Sequence, residues 1–331
     1  MMKTPDDNNI LLSVRDLKVY FHGDERTSRA LDGVSYEVRK GETVCIVGES
    51  GCGKTVSALT ILGLIPRPPG EIMGGKVLFN GQDLLGWDEE AMREVRGNHI
   101  SMVFQEPMTS LNPVFTIGDQ IQETIMAHED LPEAEMRERC VKLIKDVGIP
   151  SPEERFRDYP HHLSGGQRQR VMIAMALACN PDLVIADEPT TALDVTIQAQ
   201  ILNLFEDLQK RHGMSLLYIT HDLGVVSNIA DRIYVMYAGI IAEQGRVSDI
   251  FTNPVHPYTT GLLNSLPSRD KRGSTLSSIP GTVPDPAYKP DGCPFHPRCG
   301  HAVDSCRVEF PEMCDYGEGH LSRCPVVYKT K

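Results

Sequence analysis

The sequence predicts an α/β fold in which buried parallel strands carry a phosphate-binding loop, followed by a small cysteine-rich extension. Three observations predict it. Thr43-Val44-Cys45-Ile46-Val47, Leu183-Val184-Ile185-Ala186 and Ser215-Leu216-Leu217-Tyr218-Ile219 are continuous apolar runs, as expected of strands covered on both faces. The first runs into Gly48-Glu49-Ser50-Gly51-Cys52-Gly53-Lys54-Thr55, which fits G-x-x-x-x-G-K-[ST] between a strand and a helix. The nine cysteines are uneven, with Cys293, Cys299, Cys306, Cys314 and Cys324 crowded after Gly292.

Taken in order, Leu11-Leu12-Ser13-Val14 and Leu17-Lys18-Val19-Tyr20-Phe21 read as two short strands, with a polar loop from His22 to Arg29. Val34-Ser35-Tyr36-Glu37-Val38 alternates as a half-buried strand does, and Val56 to Leu64 reads as the helix after the loop. Residues 106–180 read as mostly helical. Ile117 to Met126 and Met136 to Val147 place apolar residues at 3–4 spacing, and Gly148 ends the second. From about residue 265 prolines and glycines recur and periodicity fades, which sets an expected boundary near Leu266. The expected domains are therefore 1–265, with a helical insertion over about 106–180, and 266–331.

Composition narrows the function classes. At 331 residues the chain is long enough for about two domains of ~150 residues. Its net charge of −12 argues against a nucleic-acid groove, which needs a basic footprint. No run approaches the ~20 apolar residues of a membrane span. The longest, Val171 to Ala186, is cut by Asn180, Pro181 and Asp182. The acidic start, MMKTPDDNN, lacks the apolar centre of a signal peptide. An odd cysteine count without such a signal disfavours a disulfide framework, so five clustered thiols read as a metal or cluster site.

The chemistry-bearing residues follow from phosphate physics. Glycines in Gly48 to Gly53 let backbone N–H groups curl around phosphate oxygens, and the helix start adds a favourable dipole. Lys54 is expected to reach the β- and γ-phosphates and Thr55 to ligate Mg²⁺. Cys52 fills a variable position of the loop. Asp187 and Glu188 end an apolar strand: the first is assigned to Mg²⁺ and the second to the general base that polarises water. A strand simply entering a surface turn would look the same. Ser164-Gly165-Gly166 opens a second anion-attracting helix start, one more than a single nucleotide needs.

Leu163-Ser164-Gly165-Gly166-Gln167, ahead of the Asp-Glu strand, resembles the signature of ATP-binding-cassette (ABC) ATPases. Gln105 matches that family's Q-loop, Ala192-Leu193-Asp194 its D-loop, and His221 its H-loop. Phe21 or Tyr20 matches the aromatic that stacks on adenine, with Phe21 preferred. The resemblance covers residues of about 10–260. It implies a P-loop NTPase cassette: a RecA-like core, an antiparallel β subdomain and an inserted helical subdomain. It also implies ATP and Mg²⁺, the latter held by Thr55, Gln105 and Asp187. In a head-to-tail dimer, Ser164, Gly165, Gly166, Gln167 and Asp194 would serve the partner's ATP. Glu188 would orient water there and His221 would stabilise the γ-phosphate.

Three stretches resemble one branch, the ATP-binding subunits of dipeptide and oligopeptide importers: Gln105 to Pro113, Asn253 to Pro267, and Cys293-Pro294-Phe295-His296-Pro297-Arg298-Cys299. Nickel and some sugar importers share the branch. The resemblance implies a [4Fe–4S] cluster on Cys293, Cys299, Cys306 and Cys324. The first three match the branch's C-x₅-C-x₆-C opening, and Cys314 is set aside between the acidic Glu312 and Asp315, which disfavour a thiolate. Zn²⁺ is the rival for a four-cysteine site, although these spacings exceed those of zinc ribbons. The implied partners are a second, paralogous ATPase chain, two transmembrane permease subunits and an external solute-binding protein, with no nucleic acid. The implied place is the cytoplasmic face of the inner membrane, as a peripheral subunit. A soluble cassette ATPase acting on DNA or ribosomes is the alternative. It would carry a coiled-coil insert, two cassettes or basic tracts.

Overall fold

A computed structural model describes residues 9–105, 110–191, 193–266 and 278–328. Glu106 to Thr109, Ala192 of the expected D-loop and the stretch from Pro267 to Ser277 lie outside the described residues. The chain forms two compact units, one of Met1–Val38, Thr43–Leu85 and Ile219–Lys331, the other of Arg39–Glu42 and Gly86–Tyr218.

The first unit carries an antiparallel sheet in the order Thr27–Arg39, Ile10–His22, Gly70–Phe79, Gln82–Asp83. The two short strands expected before residue 22 are one strand of 13 residues. Arg15 and Asp16 interrupt the apolar pattern because the strand bulges there. Asp16 takes φ 46°, and the register against Gly70–Phe79 shifts between Arg15 and Val19. Gly75 lies across from the bulge, where a Cβ would stand 2.6 Å from the Asp16 carbonyl oxygen.

The same unit holds the all-buried strand Thr43–Val47, parallel to Arg232–Tyr237. Arg232–Tyr237 turns back antiparallel into Ile240–Arg246 through Ala238 and Gly239, at φ 46° and 79°. Positive φ at both central residues is the turn that matches strand twist. Leu321–Ser322 then pairs with Ile240–Arg246, and Cys314–Asp315 pairs with Leu321–Ser322. Residues of the cysteine-rich stretch thus extend the sheet.

In the second unit Ile100–Val103 runs parallel to Leu183–Asp187, with Ser215–Thr220 on the other side of the latter. Among its described residues are the helices Glu89–Val95, Ile117–Met126, Glu133–Asp146, Pro152–Arg155, Gly165–Ala176 and Val195–His212. Ile117–Met126 starts on a reciprocal cap between Thr116 and Asp119. Ile121, Ile125, Cys140, Ile144, Val171 and Ile173 are fully buried where three of these helices meet. Among the described residues, no helix is long and apolar enough to cross a membrane.

Candidate active site

In the first unit, the strand Thr43–Val47 delivers the chain into the glycine loop, and the helix Lys54–Ile61 leaves it. Two glycines have steric reasons. A Cβ on Gly48 would stand 2.2 Å from the Met236 carbonyl oxygen, and one on Gly53, at φ 106°, would meet Ala30 O at 2.7 Å. The loop is therefore packed against the chain beneath it, and its shape is set by the fold. Lys54 is buried, and its ammonium donates to the carbonyls of Gly48 at 2.8 Å and Glu49 at 3.2 Å. Thr55, beside it, is exposed. Burial pushes the Cys52 thiol pKa up despite Lys54, so Cys52 stays a neutral packing group.

Glu49 and Ser50 occupy the outer positions of the loop. The Glu49 N–H donates to the Tyr258 hydroxyl at 2.9 Å, and its carboxylate accepts both Arg298 terminal nitrogens, at 2.7 and 3.1 Å. Sequence reasoning missed Arg298 and Tyr258. Both lie in stretches that carry the importer resemblance, but no local pattern ties Arg298 to Glu49, 249 residues away. Phe21 is half-buried near the end of its strand, where a Cβ on Gly70 would stand 3.1 Å from its ring. His221 is exposed, immediately before Asp222, which caps the helix Leu223–Ile229.

The second unit brings together two residues that sequence could only align with separate motifs. Gln105 Nε2 donates to Glu188 Oε2 at 3.2 Å, across 83 residues. The Thr191 hydroxyl donates to the same oxygen at 3.1 Å. Glu188 takes φ 46°, a region that a non-glycine residue occupies only where the surroundings impose it. The strained backbone turns the carboxylate off the sheet end, while Asp187 stays buried at the end of the strand.

The signature residues form a helix start. The Ser164 hydroxyl accepts from Gln167 N–H at 3.3 Å, and Gln167 Oε1 accepts from Ser164 N–H at 3.0 Å. Gly166 leaves room for Ile197, whose Cγ2 would be 2.9 Å from a Cβ there. Asp194 caps the helix Val195–His212, accepting from Ile197 N–H at 2.9 Å. Its described contact is structural.

All five late cysteines line one cavity of about 560 Å³, with Phe295, His296 and Pro311 among its walls. Burial, helped by the nearby Cys306, Cys324 and Cys299, pushes the Cys293 thiol pKa up to about 11. Burial also raises Cys299, again with Cys324 and Cys306 nearby. Cys314 lines the same cavity, with its thiol 3.8 Å from the Glu312 carbonyl oxygen. Five thiols round one cavity include enough donors for a four-thiolate centre. Among the described residues, however, no three His, Cys, Asp or Glu side chains stand together in a metal-holding group.

Comparison with known proteins fits this geometry. The ABC transporter family model matches residues 31–191, and that of the oligopeptide/dipeptide transporter C-terminal region matches 242–306. An oligopeptide transport ATP-binding protein of Bacillus subtilis is 50% identical over 95% of this chain and 96% of its own. A dipeptide transport ATP-binding protein of Escherichia coli is 50% identical over the same shares. A bacterial ABC transporter cassette solved as a dimer superposes with a TM-score of 0.64 at 27% identity, covering 71% of this chain and 98% of that one. The P-loop α/β core, the helix-starting signature and these matches together place the chain in the ABC transporter family, among its peptide-transport ATP-binding proteins.

Proposed function

We propose that the chain is the ATP-hydrolysing subunit of a membrane importer for di- and oligopeptides. The observation that carries the catalytic reading is the Gln105–Glu188 hydrogen bond, with Glu188 held at a strained backbone by Thr191. A carboxylate fixed in this way can orient a water and accept its proton, and Gln105 ties that base to the segment entering the helical insertion. Lys54 supplies a fixed positive charge for the β- and γ-phosphates, His221 a γ-phosphate contact, and Phe21 an apolar face for adenine. Thr55, Gln105 and Asp187 offer hard oxygen donors that suit Mg²⁺, which when bound neutralises phosphate charge. Ser164, Gly165, Gly166, Gln167 and Asp194 would face a second chain's nucleotide, so that closure of two cassettes switches hydrolysis on. A cassette solved in a dimeric, post-hydrolysis state with ADP and phosphate supports that arrangement.

The partners on this reading are a paralogous second ATPase chain, two permease subunits and an external solute-binding protein. The chain would lie at the cytoplasmic face of the inner membrane. Residues 1–265 would act as the cassette and 266–331 as an extension that holds a [4Fe–4S] cluster through Cys293, Cys299, Cys306 and Cys324. Such a cluster would cross-link the loops that carry its ligands; Zn²⁺ is the alternative. The test is Glu188→Gln in the purified complex. ATP binding should persist while turnover falls by orders of magnitude, leaving a closed ATP-bound dimer. An unchanged steady-state ATPase rate would sink the assignment.

A further inference from the structure

Glu49 is an awkward residue for its place. It stands in a loop whose backbone is shaped to receive phosphate, and a bare carboxylate there repels an anionic ligand. Arg298 answers that charge. Its two terminal nitrogens grip the Glu49 carboxylate at 2.7 and 3.1 Å, and its side chain is only 4% exposed. Its Nε donates to the Pro280 carbonyl at 2.8 Å, and Nη1 also reaches the Tyr237 hydroxyl at 3.4 Å. The guanidinium is thus fixed before it meets Glu49, as a planar fork can be and an ammonium cannot.

The loop backbone is held at the same residue. Glu49 N–H donates to Tyr258, and the Glu49 carbonyl is one of the two acceptors of the Lys54 ammonium. Whatever moves Glu49 therefore moves the group that places Lys54. We infer that Arg298 is a positioning residue of the nucleotide site: it cancels the Glu49 charge and fixes the loop that presents Lys54 to phosphate. This rests on the ATP-binding reading above.

Glu49 is 32% exposed, so water can solvate it once Arg298 is gone, and the fold need not bear the full penalty of an isolated buried charge. The main consequence falls on ligand binding. One uncompensated negative charge on the phosphate loop corresponds to about tenfold weaker ATP binding at low salt, less at high salt. The experiment uses the full chain and measures ATP and ADP affinity, with adenosine as competitor, alongside thermal unfolding. Arg298→Gln should weaken ATP about tenfold, ADP less and adenosine not at all. Adding Glu49→Gln to Arg298→Gln should restore ATP affinity to within about threefold, because no charge is then left to oppose phosphate. Wild-type ATP affinity in Arg298→Gln, no recovery in the double variant, or equal losses for ATP and adenosine would overturn the inference. If Arg298→Gln does not fold, Arg298→Lys replaces it: with the charge kept but the fork gone, a loss of ATP affinity smaller than tenfold with adenosine unchanged supports the inference, and unchanged ATP affinity or a loss shared with adenosine overturns it. Lys54→Ala is the control for the underlying reading. If the wild-type chain binds no ATP, or Lys54→Ala binds it as well as wild type, the nucleotide site itself is misassigned.

Discussion

Glu243 offers a direct test of how the cysteine-rich stretch is held. It is fully buried in the strand Ile240–Arg246, and its carboxylate accepts three hydrogen bonds. Two come from the Val255 and His256 N–H groups, at 2.7 and 2.9 Å, and one from His320 Nε2 at 2.7 Å. Glu243→Ala strips all three donors of their acceptor. Hydrogen bonds to a charged group contribute about 1.5–3 kcal/mol each but do not add, and losing one partner of a buried pair costs about 3–5 kcal/mol. The expected loss is therefore about 4 kcal/mol, a large share of a domain's net stability. Glu243→Gln keeps the shape and one acceptor oxygen, so about half that loss is expected. Equilibrium urea unfolding at neutral pH reads both values. Limited proteolysis should also cut Glu243→Ala first around His320, 77 residues away in sequence. A loss under 1 kcal/mol in Glu243→Ala would refute the idea that this carboxylate anchors the two segments.

Three further outcomes are expected. Lys289 is 9% exposed and lies 3.7 Å from Asp32, beyond hydrogen-bond length; burial pushes its pKa down to about 8. The unfolded chain then holds the extra proton between pH 8 and 10.5. The stability penalty is full below pH 8 and is relieved as pH rises, by up to about 1.4 kcal/mol per unit. Lys289→Met should stabilise the chain at pH 7 by about 1–3 kcal/mol and flatten that slope in urea titrations; a destabilised variant would count against it. Gln105→Ala in the reconstituted importer should lower transport-stimulated hydrolysis more than ATP affinity. Full partner-independent ATPase activity in the isolated chain would remove the basis for coupling. Anaerobically purified protein should carry about four irons and four sulfides per chain, kept in Cys314→Ser and lost in Cys324→Ser. Stoichiometric zinc without iron would end the cluster reading, and the reverse pattern in the variants would end the choice of Cys324.

Much of the scaffold was legible because it rests on local patterns. The strands Thr43–Val47 and Leu183–Asp187 are uninterrupted apolar runs, and Ile117–Met126 has helical spacing behind a Thr–Asp cap, so pattern and structure coincide. Legibility stopped where a residue works against its type. Asp16, Ala238 and Glu188 all take positive φ, which tertiary packing imposes and side-chain identity does not announce. Asp16 therefore looked like a gap between strands. Ala238-Gly239 lacked the Asn-Gly form of a tight hairpin, and the strands on either side went unread. Within the site, the order of motifs along the chain identified Gln105 and Glu188, but only the fold puts them 3.2 Å apart. Arg298 stood in a recognisable stretch, but its role was illegible because its partner Glu49 is brought to it only by folding.

The cysteine-rich stretch is joined to its unit by polar side-chain contacts as well as by apolar burial. Glu49 meets Arg298 and Glu243 accepts from His320, each pair within the same compact unit. Apolar contact is tolerant of small slides, whereas a bidentate guanidinium–carboxylate pair fixes both distance and plane. The two short strands at 314–315 and 321–322 add register to that alignment. Arg298 lies between Cys293 and Cys299 in sequence, and both thiols line the cavity, so the segment that shapes the cavity wall also grips the phosphate loop. Cys299 is thus one peptide bond from Arg298, and Arg298 is joined to Glu49 by a salt bridge. The composition of the chain changes near residue 265, but its electrostatics run through that boundary to the phosphate loop.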